Sequence, residues 1–284
     1  MLIRIRHQLR YTYDRPVLLE PMTVRLTPRQ DATQRLLQHE FRVTPAAQGA
    51  ACTLEPDGTN ANCLWFVGQH ATFTVSSESL VETLRSNPFD YLITHNEAIT
   101  LPASYPTSLT HVLAPYRSEE RDATVQRWAD DVCERSQHDT LQFLSLLTQD
   151  IHSMFHVINR PKGDPFTPQR TLTERTGACR DVAMLFIAAC RSQGLAARFI
   201  SGYSLHHPPE VTEHELHAWV EVYLPGGGWR GYDPSLGLAV ADGHVAVASG
   251  PDHRLAAPIA GSFRGTGVRS TLEYDITISA VTTK

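Results

Sequence analysis

The stretch Thr176-Gly177-Ala178-Cys179-Arg180-Asp181 runs directly into the apolar segment Val182-Ala183-Met184-Leu185-Phe186-Ile187-Ala188-Ala189-Cys190. Val182, Leu185, Phe186 and Ala189 recur at three- and four-residue steps, the period of a core-facing helix, with flexible Gly177 just ahead of them. Cys179 therefore sits where a helix begins. The unpaired N–H groups and macrodipole of that end favour a thiolate over a thiol, and Arg180 adds a positive charge next door. The same N–H groups can receive a developing oxyanion. Two readings of Cys179 stand side by side: a nucleophile, or a buried structural cysteine, the commonest fate of the residue type. Cys190 lies about three helical turns further along the same apolar pattern and reads as structural, and Cys52, Cys63 and Cys133 carry no functional reading.

Downstream, His217-Ala218-Trp219-Val220-Glu221-Val222-Tyr223-Leu224 reads as a strand. His217, Trp219, Glu221 and Tyr223 share one face, and Ala218, Val220, Val222 and Leu224 the buried other. A lone histidine on a strand is commonly a satisfied polar residue. At a strand end, with a cysteine and an aspartate to pair with, His217 reads as a base at a sheet rim. Trp219 on its face is expected to wall the site from water or bind the substrate chain. Asp233 follows Gly226-Gly227-Gly228-Trp229-Arg230-Gly231-Tyr232, which predicts a hairpin that brings His217 and Asp233 together, the aspartate fixing the imidazole tautomer. If Pro225 to Gly228 forms the whole turn, Asp233 falls opposite Val220 and on the wrong face, so a bulge at Gly231 or a longer, lopsided turn is required. Asp233-Pro234-Ser235 is also a turn initiator.

The 284 residues are a soft prior for two domains and allow a sizeable core. A charged fraction of 19% and a net charge of -5, with no basic stripe, argue against a nucleic-acid partner. Charge interrupts the apolar residues of Met1 to His7, and no apolar run is long enough for a span, so neither a signal peptide nor a membrane segment is expected. Five scattered cysteines without CxxC spacing suggest no disulfide framework or zinc knuckle, and a cytoplasmic location is expected.

Residues 1–90 alternate in short runs: Leu2 to Tyr13, ended by Asp14-Arg15-Pro16, then Thr23 to Thr27, Glu40 to Thr44, Cys63 to Val67 and Thr72 to Val75. They predict an N-terminal β-sandwich. A catalytic unit over 91–284 is expected to follow, opening with a helical connector at about 91–155. Within it, a Pro-punctuated segment to about Pro115 precedes helices at Glu119 to Arg135 and Asp139 to Phe155, the second capped by Asp139. Thr167-Pro168 predicts an N-cap and first residue for a short helix through Glu174. The Cys179 helix ends at Gly194, and strands follow at Ala196 to Gly202, His217 to Leu224, about Trp229 to Tyr232, and Leu272 to Ile278. The fold class is α+β, with helices followed by an antiparallel sheet.

Gly177-Ala178-Cys179-Arg180-Asp181-Val182-Ala183, Ala197 to Tyr203, His217 to Gly228 with Trp229, and Gly231-Tyr232-Asp233-Pro234-Ser235, in this order, resemble the bacterial branch of the transglutaminase-like superfamily. Tyr11 to Val17, Arg25-Leu26-Thr27-Pro28-Arg29 and Asp57-Gly58-Thr59-Asn60 resemble the β-rich region that precedes the core in that branch, so the likeness spans nearly the whole chain. The resemblance implies a papain-like core with Cys179 as nucleophile, His217 as general base and acid, and Asp233 as orienter. Trp219, Arg180 and Tyr203 are the expected substrate contacts. Arg180 stands where many relatives carry Gln, and Pro251-Asp252-His253 where a Gly-Arg-Asp-Tyr-like run is expected; neither departure touches the triad.

The function implied is a thiol enzyme, a cysteine peptidase or amidase, that forms an acyl-enzyme on a peptide, amide or isopeptide bond. Resolution by an amine would make it a transglutaminase or peptide ligase instead. Loss of chemistry would leave a peptide-binding module. The expected partner is a peptide or protein substrate, with no cofactor. His206-His207 and His214-Glu215-Leu216-His217 lack the HExxH spacing, and a strand sends His214 and His217 to opposite faces, so no metal is expected. His206 to Glu210 reads as a loop at the mouth of the site.

Overall fold

The computed structural model describes residues 1–117, 122–160, 163–206 and 215–281. Six strands come first: β1 (Leu2–Leu19), β2 (Met22–Val24), β3 (Gln34–Thr44), β4 (Gly49–Leu54), β5 (Asn60–Trp65) and β6 (Gln69–Thr83). Helices α1 (Thr107–Leu113), α2 (Ala123–Arg135) and α3 (Thr140–Met154) follow, then β7 (His156–Val157), α4 (Pro168–Glu174), β8 (Thr176–Gly177) and α5 (Cys179–Ser192). The chain closes with β9 (Ala197–Ser204), β10 (His217–Leu224), β11 (Gly228–Asp233), β12 (Leu238–Ala239), β13 (His244–Gly250), β14 (Ile259–Ala260), β15 (Phe263–Arg264) and β16 (Ser270–Ala280). The fold is α+β. Among the described residues no helix is long and apolar enough to cross a membrane.

The N-terminal strands form two sheets, β15-β1-β6-β3 with β16 also on β1, and β14-β2-β5-β4. Leu9, Val17, Phe73 and Val75 from the first meet Met22, Val24 and Leu64 from the second in a shared core. β1 does not stop at Asp14-Arg15-Pro16. Its pairing with β6 shifts register between Thr12 and Val17 and resumes at Val17, so the proline is absorbed at an irregularity and not at a strand end.

The third sheet, β12-β11-β10-β9-β13, is antiparallel and covered by α5. Val182, Leu185, Phe186 and Ala189 are fully buried there, as the helical spacing predicts. α3 contributes Leu144, Leu147 and Ile151, each 0% exposed, and burying each such side chain stabilises the fold by about 1.5–3 kcal/mol. Local caps set the helix starts. Asp122 accepts the N–H groups of Thr124 and Val125, Asp139 that of Gln142, and Thr167 that of Arg170. The α2 start expected at Glu119 falls on 118–121, outside the described residues.

The final strand departs from the expected layout. β16 pairs along β1, from Ile3 with Ala280 to Tyr13 with Ser270, and so joins the N-terminal sheet and not the third one. Ile3, Ile5, Ile276 and Ile278 enter the same apolar core as α5 and the third sheet. A local alternating pattern marks β16 as a strand, but its partner is some 260 residues away in sequence, and no local pattern names it.

Candidate active site

Cys179 is the first residue of α5, with Ala178 at the N-cap. Ala178 has no side-chain acceptor, so Asp181 supplies the cap by reaching back to accept the Ala178 N–H at 2.6 Å. The fully buried Asp181 carboxylate also accepts Arg160 Nη2 at 2.6 Å and the Phe166 N–H at 2.7 Å. A Cβ at Gly177 would come within 2.6 Å of Asp181 Cβ, so glycine is what lets this carboxylate fold under the chain. The N–H groups of Asp181 and Val182 bond to the Ala178 carbonyl, and the N-terminal end of α5, where helix N–H groups point along the axis, lies beside the thiol.

His217 opens β10 and Asp233 closes β11. They meet without the bulge or long turn that the sequence suggested. Leu224 pairs with Gly228, Glu221 with Gly231 and Val220 with Tyr232, so the turn is only Pro225-Gly226-Gly227. One residue fewer in the turn moves the register by one and carries Asp233 onto the face of His217 and Trp219. Gly226 and Gly228, at φ +88° and +70°, provide the left-handed backbone this short turn needs.

His217 Nε2 lies 2.6 Å from Asp233 Oδ2. A carboxylate only accepts, so Nε2 carries the proton and Nδ1 is the atom left to serve Cys179. Burial opposes charging of His217, but the Asp233 carboxylate, its hydrogen bond and the hydrogen bond with Cys179 prevail and hold its pKa well above the ordinary 6.5. Burial likewise opposes ionisation of Asp233, and the His217 charge with hydrogen bonds from His217 and His244 holds the carboxyl far below its ordinary range. The imidazolium–carboxylate pair is thus the favoured form next to the sulfur.

The second histidine on Asp233 escaped the sequence reading. His244 Nε2 reaches the same Oδ2 at 3.0 Å, while Oδ1 accepts from the Ser235 N–H, the Ser235 hydroxyl and the Leu236 N–H. The turn role of Asp233-Pro234-Ser235 and its orienting role therefore use different oxygens. Burial pushes the His244 pKa down despite the Asp233 contact, so it is a neutral N–H donor at neutral pH. His217, Asp233 and His244 bring three possible ligand atoms within 4.8 Å of one another. Separations of 2.6 and 3.0 Å to one shared oxygen are those of two N–H donors on one acceptor.

Cys179, His217 and Arg180 line one cleft of about 320 Å³. The other two expected substrate contacts do not reach it. Trp219 and Tyr203 are each 1% exposed. Trp219 stacks beside His217 and meets His244 edge-on, with ring centroids 6.1 and 5.1 Å away, so it backs the imidazoles. Tyr203 bonds through its hydroxyl to His7 Nδ1 at 2.8 Å. The expected exposed face of β10 is covered by the N-terminal segment: Arg29 bonds Glu221, which also pairs with Arg198 of β9, and Gln34 bonds the backbone of Ala246. His206 faces His244 at 5.8 Å between ring centroids, whereas His207, His214 and most of the expected mouth loop lie outside the described residues.

Residues 3–82 match the bacterial transglutaminase-like N-terminal region, and residues 126–234 the core of the transglutaminase-like superfamily. The chain carries a bacterial transglutaminase-like N-terminal region followed by a transglutaminase-like core domain. This transglutaminase-like chain is 27% identical over 289 residues to an uncharacterized protein of Mycobacterium leprae, covering 93% of this chain and 94% of that one. An uncharacterized protein of Mycobacterium tuberculosis is 26% identical over 293 residues, covering 97% and 91%. The transglutaminase-like fold is shared with a solved candidate cysteine protease of Cytophaga hutchinsonii at a TM-score of 0.76 and 22% identity, over 100% of this chain and 92% of that one.

Proposed function

We propose that the protein is a thiol hydrolase that cleaves a peptide, amide or isopeptide bond through an acyl-enzyme on Cys179. The observation that supports this most is the line from Cys179 to His217 to Asp233 at the foot of one cleft, with a 2.6 Å hydrogen bond fixing the imidazole. With the thiol proton already on His217 as imidazolium, the Cys179 thiolate attacks the carbonyl carbon. The carbonyl oxygen takes the negative charge and is received by the N–H groups at the start of α5, each such donor being worth about 10²–10³ in rate. The C–N bond then breaks, and His217 returns the proton to the leaving amine. Water, deprotonated by His217, attacks the thioester, which releases the acid and restores the thiol.

Intact-mass spectrometry after exposure to a peptide library, with and without added primary amines, tests this reading. An acyl adduct at Cys179 and hydrolysed product are expected. Cys179→Ala and His217→Ala should each abolish turnover, and Asp233→Asn should cost less because it orients and does not attack. Near-normal turnover by Cys179→Ala would end the mechanism. Product trapped by amines in preference to water would make the protein an acyltransferase.

A further inference from the structure

We propose that the cleft over Cys179 is an acyl-donor subsite for a peptide bearing an uncharged apolar side chain, and that His253 hydrogen-bonds the peptide backbone there. This rests on the thiol-hydrolase reading above. The apolar wall comes largely from outside the catalytic sheet. In the β1–β16 pairing, Leu9 lies opposite Tyr274 and His7 opposite Ile276, so these four side chains share one sheet face, and that face lines the cleft. Phe199 and Pro258 continue the apolar lining from the core side.

Besides the His217 imidazolium, the charged groups that line the cleft are Asp164, Arg180 and Glu215. Glu215 is already engaged, its Oε1 accepting Asn159 Nδ2 and the Tyr274 hydroxyl at 2.7 Å each. A charged or carboxamide side chain pressed against Leu9, Phe199 and Ile276 would lose water without gaining partners there, whereas an apolar one gains from the same desolvation.

His253 lines the same cleft, edge-on to Phe199 at 6.5 Å between ring centroids. Among the described residues both of its ring nitrogens are shielded from solvent and have no hydrogen-bond partner. Burial pulls its pKa down, with Asp252 and Asp164 opposing and Arg254 and Arg180 assisting, so the ring is neutral. A neutral imidazole presents one N–H and one lone pair, the complement of the C=O and N–H groups of an extended peptide. Leaving both unpaired is costly, and a bound peptide would satisfy them.

The test uses tripeptidyl acyloxymethyl ketones, which alkylate the thiol irreversibly, differing only in one side chain: Leu, Phe, Gln, Glu or Lys. Labelling of Cys179 is followed by intact-mass spectrometry, and each rate is divided by the iodoacetamide rate of the same variant. Leu and Phe probes should label about tenfold faster than the other three. His253→Phe should slow every peptidyl probe about tenfold, and His253→Gln should recover part of the loss. Leu272→Glu, at a half-buried position of β16 that also lines the cleft, should turn the preference from Leu toward Lys. Equal rates across side chains would overturn the apolar subsite, and an unchanged His253→Phe ratio would overturn the role of His253. If iodoacetamide also leaves Cys179 unlabelled, the thiol reading itself falls and the subsite with it.

Discussion

His7 offers a quantitative test of how the N-terminal sheet meets the catalytic core. It is 1% exposed, with Nδ1 against the Tyr203 hydroxyl, and burial lowers its pKa from 6.5 to about 4. The unfolded chain binds a proton at this residue below about pH 6.5, and the native protein refuses it until about pH 4. Its contribution to stability is therefore complete above pH 6.5 and is lost as the pH falls toward 4. Linkage puts the loss at about 2 kcal/mol on going from pH 8 to pH 5, and about 3 kcal/mol by pH 4.

Other histidines titrate in the same window. His244 and His39 have lowered pKa values and act with His7, while the raised His217 contributes stability below pH 6.5 that is lost as the pH climbs through its folded value. A difference measurement removes them. His7→Gln abolishes the titration and keeps a group able to bond Tyr203. Urea unfolding of both proteins at pH 8 and pH 5 should show the variant gaining about 2 kcal/mol relative to wild type at the lower pH. Parallel curves, within about 0.5 kcal/mol at both values, would refute the claim that this imidazole is held neutral by burial.

Glu221→Ala strips the carboxylate partner from buried Arg198 and leaves buried Arg29 with Asp31 alone, and should destabilise the protein by about 3–5 kcal/mol in urea unfolding. Asp181→Ala removes the acceptor of the Ala178 and Phe166 N–H groups and the carboxylate partner of Arg160, and should cost about 2–4 kcal/mol by the same assay. His244→Phe removes one donor from Asp233 Oδ2; kcat on an active substrate should fall about tenfold with little change in KM, and His244→Gln, which can still donate, should recover most of it.

The elements that were legible in the sequence are those whose signals are local. Thr167-Pro168 fixed the start of α4, Asp139 the start of α3, and alternation from His217 to Leu224 delimited β10. The same locality explains the failures. Alternation in β10 predicts one face to water, yet both faces are buried, because Arg29 to Gln34 cover the second; hence Trp219 backs the imidazoles and does not line the cleft. β4, running from Gly49 to Leu54, has no residue classed as buried and no apolar alternation to reveal it. His244 had one available signal, its place at the head of an alternating run after Ala241-Asp242-Gly243. That signal says strand, and only the β9–β13 pairing tells that the strand end points at Asp233.

The site also depends on a sheet that sequence texture assigns elsewhere. A boundary near residue 90 separates strand-rich from helix-rich sequence, but contacts cross it in both directions: His7 to Tyr203, Arg29 to Glu221, Gln34 to Ala246, and β16 back onto β1. Side chains alternate along a strand, so a slip of one residue between β1 and its partners would turn His7 and Leu9 away from the cleft and bring Arg6 and Gln8 in. Two features oppose that slip. Ile3 and Ile5, on the face of His7, are locked into the catalytic core, and the irregularity in β1 falls between Thr12 and Val17, beyond the residues that line the cleft. The pairing of His7 with Ile276 and Leu9 with Tyr274 is thus held by burial at one end and left unbroken at the other, which is how a strand at the start of the chain comes to shape the space above Cys179.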